Sequence, residues 1–220
     1  MNAPRPLLIE LHYFPSILFF ALAQQRPAVV LEQHEHYAKR SFRNRTRIQT
    51  ANGPLRLTIP LVKGKNQQQP IREVRISYEE NWPRKHWMAL QSAYGNAPYF
   101  EFYDAEIRAL FFAKKNYLFE YNLLIVNELQ KLLGLSISWQ LSQQFAPKNY
   151  PGWDDWRERV HPRMEKIAAL SCQPPYPQVF ADKAGFQPNL SILDLLFCKG
   201  PESGLYLTEY AQTLRHHHIQ

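Results

Sequence analysis

The chain has 220 residues, 45% of them hydrophobic and 14% aromatic, and its 26 basic and 19 acidic side chains leave a net charge of +7. That length supports one sizeable core, and the aromatic content, with five tryptophans, excludes a disordered chain. Two cysteines are too few for a disulfide framework, no apolar run approaches the roughly 20 residues of a membrane span, and the positive balance points to anionic partners.

Arg5, the run from Ser16 to Ala23 and the ending Ala21-Leu22-Ala23 imitate a secretory signal. Glu10, His12 and Pro15 interrupt it, so the expected location is cytoplasmic. Leu7 to Leu11 reads as a buried strand, Ser16 to Gln24 as a helix behind Pro15, and Val29 to Leu31 as a second strand. A strand, a helix and a strand so arranged predict a βαβ unit with a parallel sheet, in which ligands gather at the strand C-termini. His12-Tyr13 and Glu32 to His36 would lie there.

The stretch from Glu32 to Arg47 is dense in function-bearing groups. Glu32, His34, Glu35 and His36 come first, and Lys39, Arg40, Arg43, Arg45 and Arg47 follow with no acidic residue among them. If extended, Arg43, Arg45 and Arg47 share one face at about 6.6 Å spacing, with guanidinium forks suited to phosphate or carboxylate. A solvated, charge-protected edge strand is the bland alternative.

Asn52-Gly53 predicts a type I′ hairpin between Phe42–Gln49 and Leu55–Val62. Lys63 to Gln69 reads as a loop and Ile71 to Ile76 as a further strand. Helices are expected from Asn81-Trp82-Pro83 to Gly95, from Asp104 to Lys115, and from Asn116 to Gly134, followed by a strand through Ile137, Trp139 and Leu141. Regularity then fails across a Pro-rich excursion at about 146–180, which Trp153 and Trp156 mark as a packed flap. A capped helix from Pro188 to Phe197 closes at Gly200-Pro201. The expected architecture is one α/β domain over 1–220, with a mixed, partly parallel sheet, the βαβ-like unit, the hairpin and packed helices.

His12-Tyr13-Phe14-Pro15, Tyr37-Ala38-Lys39-Arg40, Arg43-Asn44-Arg45, Leu57-Thr58-Ile59-Pro60, Trp82 with His86, Tyr94 to Phe100, and Asn189-Leu190-Ser191-Ile192-Leu193-Asp194 together resemble the WbqC-like family, in order and over nearly the whole chain. The family pattern usually has Gln-Pro where Glu10-Leu11 stand and Gly-Tyr where Phe19-Phe20 stand. A Gly-rich segment is replaced here by the Pro-rich excursion. The resemblance implies a bacterial surface-polysaccharide pathway and glycyl transfer in O-antigen assembly, without assigning catalytic residues.

The chemistry divides by residue type. His12, behind a buried strand, is a candidate acid or base because imidazole titrates near neutral pH, or else a structural histidine. His34 and His36 at i, i+2 could bind a metal with Glu32 or His12, but a hydrogen-bonded pair or a general base fits the spacing better, and no metal is assigned. No cofactor is indicated. Asp194, among Leu193, Leu195, Leu196 and Phe197, must be paired, either with an arginine of the basic stretch or to orient a catalytic group. Trp82, Tyr94 and Tyr99 are either a stacking wall or core. Cys172 and Cys198 carry no catalytic signature, and Cys198 reads as core.

The expected function is group transfer of an acyl or aminoacyl unit to an activated sugar, with an anionic small-molecule substrate such as a nucleotide sugar or activated acyl donor. His12, Glu32, His34 and Asp194 are the catalytic candidates. Tyr13, His36, Lys39, Arg40, Arg43, Asn44 and Arg45 are expected to bind substrate, joined by Trp82, His86, Asn189 and Ser191. His12, Glu32, His34, Lys39, Arg43 and Asp194 should then meet in one cleft. A nucleotide substrate is an acceptable variant. The rivals are a nucleic-acid module built on the basic hairpin, disfavoured because acids are interspersed elsewhere, and a non-catalytic assembly factor.

Overall fold

The computed structural model describes residues 5–24, 26–62, 69–148, 150–162 and 168–217. The opening unit is the expected one. β1 (Leu7–Ile9) and β2 (Val29–Leu31) pair in parallel through α1 (Ile17–Ala23), with Leu7 opposite Val29 and Ile9 opposite Leu31. All seven residues of α1 are buried, because the sheet covers one side and later helices cover the other. Phe19 and Phe20 both pack on Trp139.

Two further strands complete the sheet in the order β5-β2-β1-β6. β5 (Trp139–Leu141) adds to β2 and the two-residue β6 (Asp154–Asp155) adds to β1, both in parallel. The four-stranded sheet is therefore parallel, and antiparallel pairing is confined to the separate hairpin of β3 (Arg45–Thr50) and β4 (Gly53–Thr58). Thr50 pairs with Gly53, so Ala51-Asn52 form the tip. The left-handed conformation falls on Gly53 (φ +107) rather than on Asn52, which differs from the expected type I′ turn. Leu57 and Ile59 are buried while Leu55 is 39% exposed, so the apolar alternation of β4 faces the core only at its inner end.

The helices follow their caps. Asn81 accepts from Arg84 N and opens α2 (Trp82–Tyr94), whose Trp82, His86 and Leu90 form one buried stripe. α3 (Phe100–Phe112) begins a turn earlier than Asp104, since Phe100 N already bonds Ala97 O and Glu101 supplies the acidic first turn. α4 (Leu118–Leu132) ends at Gly134 with φ +65. Ile71 to Ile76 is not a strand. It is a single 3-10 turn at Ile71–Glu73 with isolated bridges at Arg75 and Ile76, because Ile71 N bonds Glu35 O and spends its pairing on the loop after β2. Of the loop expected at 63–69, residues 63–68 lie outside the described residues.

The Pro-rich excursion contributes β6 and two short helices, α5 (Ala168–Ser171) and α6 (Ala181–Ala184). α7 (Ile192–Lys199), capped by Ser191, and α8 (Ser203–His216) close the chain over α1. Gly200, between them, holds φ +53 and ψ −125, and an added Cβ would stand 2.5 Å from the Tyr99 ring. Gly200→Ala should therefore lose about 2 kcal/mol or more of stability from backbone strain and overlap together. Urea unfolding measures this, and a loss below about 0.5 kcal/mol would show that the Gly200 backbone is not constrained.

Candidate functional site

The C-terminal ends of β1 and β2 carry a buried ionic cluster. Glu10 leaves β1, and Glu32 and Glu35 leave β2; all three are buried, as are His12 and Arg43. The Arg43 guanidinium grips Glu35 with both ends of its fork, Nε to Oε1 at 2.7 Å and Nη2 to Oε2 at 2.5 Å. Its Nη1 stands 3.5 Å from Glu10 Oε1. Glu10 also accepts from Glu158 N at 3.1 and 3.2 Å and has His12 Nε2 at 3.4 Å. His12 lies between the rings of Phe19 and Phe42, and neither of its ring nitrogens meets a hydrogen-bond partner among the described residues.

Glu32 is held separately. Its Oε1 accepts from His34 N and Ser142 Oγ, and its Oε2 accepts from Ala146 N and from Arg157 Nη1 at 3.1 Å. Arg157 forks onto Asp155 and donates to Ala146 O, so it ties the Pro-rich excursion to the end of β2.

Two carboxylates on one arginine cannot both be ordinary. Burial raises Glu10, but the charge of Arg43, and after it the contact with His12, brings it down to about 2. Burial pushes Glu35 up to about 7 against the pull of Arg43, and the charges of Glu10 and Glu32 add to the rise. Glu10 and Glu35 are coupled through Arg43, so their titration belongs to the pair, with Glu35 the higher of the two.

A second feature faces outward. A groove of about 530 Å³ is lined by Arg40, Phe42, Arg45, Thr46, Arg47, Pro54, Arg56 and Pro162. Arg45 and Arg47 project from β3, Arg56 stands opposite Arg47 on β4, and Arg40 comes from the preceding loop. Phe42 is shared: it lines the groove and packs on His12, with ring centroids 5.5 Å apart. The groove and the ionic cluster thus lie on two sides of one phenyl ring.

Several expectations need correcting. Arg43 does not share a face with Arg45 and Arg47, because Phe42–Asn44 is a 3-10 turn that sends Arg43 into the core onto Glu35. Asp194 is paired with no arginine among the described residues. It accepts from Tyr94 at 2.8 Å, Tyr176 at 2.5 Å and Gln178 at 3.2 Å, so it closes a buried network of α2, the excursion and α7. Burial raises its pKa and those three donors restrain the rise. The expected single cleft is therefore not formed: His12 and Arg43 meet through Glu10, Glu32 is held by Ser142, Ala146 and Arg157, Asp194 has its own network, and Lys39 is exposed beside Arg40. His34 and His36 are exposed, with His34 Nε2 donating to Ser142 O at 3.1 Å.

Trp82 and Tyr94 are core rather than a stacking wall, and Tyr99 is half-buried. Tyr13 OH meets His86 Nδ1 at 2.9 Å, and burial lowers His86 to about 4, which keeps it neutral. Asn44 spans Tyr37 OH and Ile59 O, Asn189 Oδ1 accepts from Leu18 N, and Ser191 Oγ donates to Phe14 O. These three are committed to the fold. Among the described residues no group of three or more His, Cys, Asp or Glu could hold a metal ion.

Sequence reasoning passed over Glu10, Glu35, Arg56 and Arg157 as site residues. Strand alternation would have found Glu35, because side chains flanked by two outward histidines point inward. Hairpin register would have found Arg56. Nothing local marks Arg157.

The cluster predicts a pH dependence. Glu10, lowered on folding, adds stability above about pH 4.5 that is lost as pH falls toward 2, whereas Glu35, raised on folding, is fully compatible with the fold only while protonated. Between pH 4.5 and 7 the unfolded chain releases the Glu35 proton more readily than the native chain, so the Glu35 contribution to stability should fall with rising pH across that window. Glu35→Gln should flatten that limb in urea unfolding from pH 4 to 8; an unchanged slope would place the proton elsewhere. Arg43→Ala, which leaves the carboxylates uncompensated, should cost about 3–5 kcal/mol at pH 7.

Comparison with known proteins places the chain. It is 28% identical over 226 residues to the uncharacterized protein Rv1507c of Mycobacterium tuberculosis (strain ATCC 25618 / H37Rv), an alignment covering 91% of this chain and 96% of that one. No solved structure matches. The model of the WbqC-like protein family matches residues 11–166, which take in both the ionic cluster from His12 onward and the arginine groove. On that match over more than half its length, the chain belongs to the WbqC-like protein family.

Proposed function

We propose that this protein is a group-transfer enzyme of bacterial surface-polysaccharide biosynthesis, which moves an acyl or aminoacyl group, glycyl among the candidates, onto an activated sugar. The observation that carries this reading is the groove: four arginines converge on one concavity with no carboxylate among its described lining residues. Such a surface recognises a compact, multiply charged small molecule. Family membership supports the pathway.

In this reading Arg40, Arg45 and Arg56 hold the anionic end of the substrate, with Lys39 adding charge at the rim. The acceptor amine or hydroxyl attacks the acyl carbonyl, an amide or ester bond forms, and the bond to the donor's leaving group breaks. The nucleophile loses one proton to a base. His34 suits that role, because donation from Nε2 to Ser142 O leaves the lone pair on Nδ1.

A non-catalytic assembly factor would present an apolar docking patch in place of a concave polar one. A nucleic-acid binder would use the same arginines and lose affinity steeply with salt. A thermal-shift screen of nucleotide sugars, acyl phosphates, acyl thioesters and single-stranded oligonucleotides separates these readings. A nucleotide sugar or acyl donor at 100 times its dissociation constant should add about 2.7 kcal/mol of stability, and product formation from the best pair should follow. Stabilisation by oligonucleotides alone, vanishing in moderate salt, would overturn the enzyme reading.

A further inference from the structure

We propose that two copies of this chain associate through α3, packed antiparallel about a two-fold axis level with Asp104 and Ala105. The helix has two apolar faces. Phe100, Ile107, Leu110 and Phe111 on one are buried against the rest of the fold, whereas Phe102, Ala105, Ala109 and Phe112 on the other are all exposed, Phe102 at 73%. Spacings of three, four and three residues keep those four side chains on one stripe, which is the repeat of a helix–helix seam. Single exposed apolar residues need no explanation, but a continuous stripe along a helix marks a contact surface.

The charges beside the stripe identify the partner as a second copy. In an antiparallel helix pair related by a two-fold axis, each flank of one helix faces the same flank of the other. Glu101 and Arg108 are one heptad apart and so stand on the same flank of α3, both exposed, and neither joins an ion pair among the described residues. Setting Glu101 of each copy opposite Arg108 of the other makes two ion pairs and fixes the register. Phe102 then falls level with the gap between Ala105 and Ala109 of the other copy, where small side chains leave room for a phenyl ring and let the helix axes approach to about 8–10 Å. Phe112 comes level with Pro98, which is exposed just ahead of the helix. Ring packing and charge pairing thus select one register independently. A surface shaped for an unrelated protein has no reason to be complementary to itself.

Chains with a net charge of +7 repel one another, and α3 offers a place where they can meet, since Glu101, Asp104 and Glu106 accompany its single basic residue, Arg108. One helix from each copy buries less than the standard interface of about 1,600 Å², so the dimer should be weak, with a Kd on the order of micromolar. No residue of α3 lines the arginine groove or belongs to the ionic cluster around Arg43. The assignment therefore stands or falls apart from the group-transfer reading.

The test is sedimentation velocity of the intact protein over concentrations from below to well above micromolar, across which wild type should pass from monomer to dimer. Phe102→Ser, Glu101→Arg and Arg108→Glu change exposed positions, so the fold should survive, and each should weaken association about tenfold or more. Glu101→Arg combined with Arg108→Glu exchanges the two signs and should recover association to within about threefold of wild type. Phe145→Ser removes another exposed ring and should leave it within about twofold. Ala105→Cys, beside the axis, should form a disulfide with its own copy under mild oxidation, whereas wild type, with Cys172 and Cys198 half-buried, should not. A chain that stays monomeric throughout, association that Phe102→Ser and the single charge reversals leave unchanged, or a double exchange that associates no better than the single variants would each overturn the assignment. So would equal loss in Phe145→Ser, or an Ala105→Cys chain that stays uncross-linked.

Discussion

The fork of Arg43 onto Glu35, with Glu10 beside it, is the interaction on which the strand ends and the hairpin both depend. Three separate parts of the chain are joined through one guanidinium: the end of β1 through Glu10, the loop after β2 through Glu35, and the entry to the hairpin through Arg43 itself. A fourth joins through Asn122 of α4, whose Nδ2 donates to Arg43 O at 2.7 Å. Charges this deep are tolerated only when paired and hydrogen-bonded. Pairing here fixes where β3 starts, and therefore where Arg45, Arg47 and Arg56 point. The inward arginine organises the loop and the outward ones line the groove.

The segments that carry the family resemblance do more architectural work than chemistry. Phe14 O accepts from both Thr46 Oγ1 and Ser191 Oγ, Ile17 N bonds Leu190 O, and Ser191 N bonds Arg47 O. His12-Tyr13-Phe14-Pro15, the hairpin and Asn189 to Asp194 are therefore stitched together by backbone groups far apart in sequence. Phe14, Arg40 and Asn189 hold positive φ inside those segments, and Glu158 does so beside Glu10. Strained backbone collects where the chain folds around the ionic cluster and the groove.

Much of this was legible in the sequence, and the failures have physical causes. The βαβ opening followed from a short apolar run, Pro15 and a second apolar run; α2 followed from Asn81 and Pro83, and α7 from the Ser191 cap. The basic stretch was legible as a cluster of cations by composition, but its parity was not. One 3-10 turn at Phe42–Asn44 separated Arg43 from its apparent neighbours, and no local pattern encodes that turn. β6 was invisible because two aspartates carry no apolar alternation; its pairing is made by Asp154 N to Pro6 O and Trp156 N to Leu8 O, which are tertiary bonds. Asp194 was correctly expected to be paired, but the partners that proved decisive, Tyr176 and Gln178, sit in the Pro-rich stretch where periodicity gives no signal.

The arginines of the basic stretch and the hairpin divide into Arg43, a buried ion held by Glu35, and Arg40, Arg45 and Arg56, which line the groove. Nitrogen-15 NMR of the guanidinium Nε–H groups reads that division residue by residue. Arg43 Nε–H, donating to Glu35 at 2.7 Å in the core, should exchange slowly with water and keep its shift when pyrophosphate is added. Arg56, exposed on β4, should exchange quickly in the free protein and slow on titration, and Arg45 Nε–H, buried without a partner among the described residues, should shift when an anion reaches it. An Arg43 signal that exchanges as fast as that of Arg56, or that moves with the ligand while those of Arg45 and Arg56 do not, would contradict the division and with it the placement of the anion on the hairpin face.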